Sequence, residues 1–145
     1  MPFWAVMRRR LRVVEAMLVL AGAALTLRLV PFRRIAARVG EVAPGAGTAA
    51  AEPSVDPAVD HVAAALASAV RRLRLRDCCL IMALAGEFML RRRGVAAVLH
   101  LGVARSATGF EGHAWLEAGG RIVCGGRTAR AFTPIARIVR AHRPA

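Results

Sequence analysis

Two adjacent cysteines open the apolar stretch RDCCLIMALAGEFMLRRRG, Arg76 to Gly94, and GHAWLEAGGRIVCGG, Gly112 to Gly126, adds a histidine and the third cysteine. A cysteine in the first turn of a helix sits among unsatisfied amides at the positive end of the dipole, a setting that favours thiolate. Arg74 and Arg76 push the same way and Asp77 opposes them. A histidine opening a nearby strand can take the thiol proton as a general base. The chemistry on offer is nucleophilic attack on a carbonyl. Against it stands the commoner role of a free cysteine, that of a small buried hydrophobe. A metal site is not expected: no Cys-x-x-Cys spacing exists, and neighbouring cysteines differ by about 100° around a helix axis.

Those residues need a helix and a sheet to hold them. The spacing predicts a helix over about Cys78 to Arg93, capped by Asp77 and closed by the arginines and Gly94. On it Cys79, Ala83, Gly86 and Leu90 share a face, small enough to approach a sheet closely, and only Glu87 breaks the apolar body. Asp56 followed by Pro57 starts an earlier helix whose apolar residues recur at helical spacing, with His61 on its surface. After Gly94 the pattern turns to strands: Val95 to Ala104, a loop RSATGFEG, then HAWLEA and RIVCG joined by Gly119 and Gly120 as a hairpin. An ideal register puts His113, Trp115 and Glu117 on one face with Ile122 and Cys124. His100 reads as a satisfied buried histidine, and Arg127 to Ala145 as a short amphipathic tail.

The 145-residue chain divides into a helical extension over 1–39, broken near Pro31, a Gly, Pro and Ala-rich linker over 40–55, and an α+β core over 56–145. All 22 basic residues are arginine, and Lys, Tyr, Asn and Gln do not occur. The formal charge of +13 would suit nucleic acid, but the arginines fall in short groups without interleaved aromatics, so no nucleic-acid partner is expected. Three cysteines, two of them adjacent, do not form a secreted disulfide framework, and a cytoplasmic protein is expected. The uninterrupted apolar run Ala16 to Leu27 falls short of the ~20 residues that span a bilayer. A packed helix, or one touching the inner face of the membrane from the side, is expected instead of a span.

The segments CLIMALAGEFMLRRRGVAAVLHLGV and GHAWLEAGGRIVCGG resemble the B proteins of lasso-peptide biosynthesis in their stand-alone, transglutaminase-like leader peptidase form. The shared features are a Cys-Leu pair opening a helix that ends in a basic run and Gly, a strand ending in Gly-Val, and a His-Ala-Trp strand that turns through Gly. LRLVPFRRIAARVG and FTPIARI resemble the family's terminal segments. The resemblance implies a transglutaminase-like, papain-like cysteine protease core. It would remove the leader from a ribosomally made precursor peptide, alongside a separate small leader-recognition protein and an asparagine-synthetase-like, ATP-dependent cyclase. It implies Cys79 as nucleophile, His113 as acid and base, and no cofactor.

One departure from that family bears on mechanism. Its fuller members carry an Asp twelve positions after the His, where this chain has Gly125, and no acidic residue follows Glu117. Orientation of His113 must then come from Glu117, from a backbone carbonyl, or from nothing. With no Asn or Gln in the chain, an oxyanion would be held by backbone amides such as that of Cys79, or by the Trp115 indole. Two other readings remain: a non-catalytic basic adaptor for membranes or peptides, and an acyltransferase on the same fold that crosslinks amines.

Overall fold

The computed structural model describes residues 3–45 and 56–140. In chain order they form α1 (Phe3–Leu29), α2 (Phe32–Val39), β1 (Glu41–Pro44), α3 (Pro57–Leu73), α4 (Cys79–Arg91), β2 (Val98–Ser106), β3 (Gly109–Ala118), β4 (Arg121–Cys124), α5 (Gly126–Ala129) and β5 (Thr133–Val139). The strands make one antiparallel sheet in the order β1, β5, β2, β3, β4. This is the expected α+β architecture, with a cysteine-bearing helix on a small antiparallel sheet.

Local chemistry explains the element boundaries. Pro31 lacks an amide donor and separates α1 from α2. The Ala58 amide donates to Asp56 at 2.8 Å, so Asp56 caps α3 with Pro57 at its first position. Gly119 and Gly120, with φ of 57° and 72°, make the tight turn between β3 and β4, a backbone twist that suits paired strands.

Helices α1 to α4 cover one face of the sheet. Leu99, Ala114, Leu116, Val123 and Ile138 meet Leu20 of α1, Leu66 of α3 and Ala83 and Leu90 of α4 in a single core. At Gly86 a Cβ would lie 2.7 Å from Leu116 Cδ2, so the small-residue face of α4 is the one pressed on β3. A bidentate ion pair from Arg93 to Glu15, 2.6 Å at its shortest, ties the end of α4 to α1. Among the described residues no helix is long and apolar enough to cross a membrane.

Four expectations are redrawn. Glu41–Pro44, read as linker, pairs with β5 as an edge strand, and residues 46–55 of that linker lie outside the described residues. The extension is not separate packing either, because Val13, Ala16, Leu20, Ala36 and Val39 belong to the common core. RSATGFEG is mostly strand: β2 runs to Ser106 and β3 starts at Gly109, so polar and glycine residues that resemble a loop are carried by ladder hydrogen bonds. The tail contributes β5, between β1 and β2, with residues 141–145 outside the described residues.

Candidate active site

Cys79 is the first residue of α4 and Cys78 is its N-cap, with the Met82 amide donating to the Cys78 carbonyl at 2.8 Å. Asp77 does not cap the helix. It takes φ of 49° in the turn from α3, and among the described residues no side chain caps the N-terminus of α4. The amides at the start of the helix are therefore left to other acceptors. The two cysteines differ in setting: Cys78 is buried, while Cys79 is half-buried on the sheet-facing side. Burial pushes the Cys78 thiol up from its ordinary value, with the charges of Cys79 and Asp77 adding to the effect. Cys78 is accordingly held as a neutral thiol.

His113 lies on the opposite face of β3 from Ala114 and Leu116, because successive residues of a strand alternate. Its ring stacks on Phe132, with centroids 4.8 Å apart, and on Trp115 at 6.0 Å. Trp115 stacks in turn on His100 at 5.2 Å and 8°. Trp115 is thus one wall of the site, clasped between two imidazoles. His100 is buried and its Nε2 donates to the Glu117 carboxylate at 3.1 Å. Burial drives His100 below its usual value while Glu117 pulls it back. Glu117, expected to orient His113, instead serves His100, two strand positions further along β3 than Trp115.

The partner of His113 is the chain itself. Nε2 lies 2.7 Å from the Gly125 carbonyl and 3.2 Å from Thr128 Oγ1. A carbonyl only accepts, so Nε2 carries the proton and donates to it, with the hydroxyl oxygen as a weaker second acceptor. In that tautomer the lone pair lies on Nδ1, ready to take a proton. Gly125 has φ of 78°, and a Cβ there would lie 2.5 Å from the Ala114 carbonyl and 2.9 Å from Trp115. Only glycine brings this carbonyl so close to His113.

Cys124 corrects the ideal register. A bulge pairs Leu116 with Cys124 and Glu117 with Ile122, which turns Cys124 into the core instead of toward His113. Burial raises its thiol to about 12, against the pull of a backbone hydrogen bond from Leu116. Helix α4 packs on β4, whose last residue, Cys124, precedes the Gly125 that holds His113. No hydrogen bond joins Cys79 to His113 among the described residues, and alternation along β3 turns His113 away from the helix-covered face; catalytic contacts commonly form only in the substrate complex. Thr128 and Phe132 escaped the sequence reading. Their one signal was position, just past the glycine turn that ends β4.

A half-buried thiol at a helix start, and an imidazole whose Nδ1 has no hydrogen-bond partner among the described residues, are the parts of a thiol acyl-transfer site. Comparison with known families gives one match. The transglutaminase-like superfamily model matches residues 17–137. No curated protein and no solved structure matches the chain. The chain belongs to the transglutaminase-like superfamily, a fold of cysteine peptidases and acyltransferases.

Proposed function

We propose that this member of the transglutaminase-like superfamily is a cysteine peptidase that removes the leader from a ribosomally made lasso-peptide precursor. The observation that carries the reading is the His113 cradle, in which the Gly125 carbonyl fixes the tautomer that a third, acidic residue fixes in fuller sites. Cys79 Sγ attacks the scissile carbonyl and its proton passes to His113 Nδ1. The amide at the start of α4 receives the oxyanion. His113 returns the proton to the leaving amine as the peptide bond breaks, giving a thioester on Cys79. Water, deprotonated by Nδ1, then hydrolyses the thioester and restores the thiol. A carbonyl carries no full charge, so it stabilises the imidazolium less than a carboxylate would. A correspondingly modest rate is expected. A separate leader-recognition protein and an ATP-dependent cyclase would act before and after this step.

The same thioester given an amine instead of water would make the protein a crosslinking acyltransferase, and one experiment separates the two. Precursor peptide incubated with the enzyme yields, for a peptidase, two fragments whose masses add to the precursor plus one water. An amine adduct at the same carbonyl would replace this reading by the acyltransferase. Cys79→Ala stops either reaction, and a basic adaptor would bind the peptide without changing its mass.

A further inference from the structure

Helix α1 is apolar on two opposite sides. The inner side, with Val13, Ala16 and Leu20, is buried in the core. At ~100° per residue, Trp4, Met7, Leu11, Leu18, Leu25 and Leu29 fall within about 60° of one another on the outer side. No described element covers them: exposure runs from 38% at Met7 to 73% at Leu29, with Trp4 at 72%. So long a row of uncovered apolar side chains needs an occupant. Thr26, an exposed hydroxyl beside it, donates to its own helix at the Gly22 carbonyl, 2.8 Å away, and asks nothing of water.

The borders of the row are cationic. The same helical spacing puts Arg8 along one border, with Arg12 beyond it, and Arg10 and Arg28 along the other. Arg8 and Arg12 also line, with Trp4 and His61, a cleft of about 980 Å³ between α1 and α3. The one acid of α1, Glu15, is already held by Arg93 at 2.6 Å. Nucleic acid would satisfy the arginines and leave the apolar row in water. A second copy would cover the row but bring together two chains of formal charge +13. An anionic lipid surface satisfies both features at once.

We propose that α1 lies in the plane of an anionic bilayer surface, its outer row sunk to the headgroup boundary and its two arginine borders against lipid phosphates. The helix does not cross the bilayer. The inner side stays in the protein core, so docking requires no unfolding. This surface is independent of the peptidase reading, and either can fail without the other.

Cosedimentation of the full chain with phosphatidylglycerol or phosphatidylcholine vesicles tests it. Binding should be at least about tenfold stronger to the anionic vesicles and should weaken as salt rises. Leu11→Glu with Leu18→Glu should lower it at least about tenfold. Both leucines are exposed, so the thermal unfolding of this variant stays with that of the parent. Vesicles should also shift the Trp4 emission to the blue, a change lost in Trp4→Phe. Equal binding to neutral vesicles, or binding untouched by the double substitution, overturns the proposal. A dimer in analytical ultracentrifugation that Leu18→Glu dissolves would overturn it too, by making the row an interface between copies.

Discussion

At the scale of single residues, the candidate site turns on what holds His113. The Gly125 carbonyl, 2.7 Å from Nε2, stands at the position where a side-chain acid would be looked for. Restoring that acid should fail, because φ at 125 is left-handed and a Cβ there meets the Ala114 carbonyl and Trp115. Gly125→Asp is therefore expected to lose cleavage and melt at lower temperature; a rise in cleavage rate would contradict the cradle. Thr128→Val removes only the weaker second acceptor and should cost about fivefold in rate. The cysteines separate by burial. Iodoacetamide followed by peptide mapping should label Cys79 first, Cys78 slowly and Cys124 last, since burial suppresses thiolate at the latter two. Fast labelling of Cys78 would reverse the assignment. The sequence carried the cysteine and histidine because their types are tied to chemistry. It did not carry Thr128 and Phe132, whose parts come only from the turn that brings them back over β3.

Among elements, α4 was the most legible, since Ala83 and Gly86 are small for a packing reason that spacing alone reveals. The β3–β4 hairpin was legible through Gly119 and Gly120, but the bulge was not, and one extra residue turned Cys124 to the other face. β1 and β5 were missed because both pair with partners distant in the chain, and such pairing leaves little trace in a local pattern. The remaining oddity of α4 is Glu87, buried at 5% exposure and facing a groove of about 500 Å³ shared with α1 and α2. Burial raises its carboxyl above the ordinary value, against the pull of Arg91 and Arg140. The folded state thus binds its proton more tightly than the unfolded one. Stability is highest below the unfolded value and is lost as pH rises through the folded one. Glu87→Gln should raise Tm at neutral pH, with the gain shrinking toward pH 4.5, the unperturbed carboxyl value. A lower Tm for the variant at neutral pH would show that Arg91 and Arg140 outweigh burial.

For the molecule as a whole, helices that look like an appendage in sequence are part of the core. Val13, Ala16 and Leu20 are at most 3% exposed, and removing residues 1–39 would uncover the backs of α3 and α4. That truncation should abolish the cooperative thermal transition; a truncated chain that melts cooperatively and still cleaves peptide would restore the appendage. Fold class and superfamily were within reach of sequence because the order of cysteine helix and histidine strand is shared by the whole fold. The orienting group was not, because it is a backbone carbonyl and has no letter of its own. The central claim is that acyl transfer runs through a thioester on Cys79 with His113 as its base. Acid-quenching the enzyme during turnover of precursor peptide and mapping its mass tests this most directly. The expected result is an acyl fragment on Cys79 that disappears in His113→Ala; an adduct on Cys78, or cleavage that continues in Cys79→Ala, would contradict it.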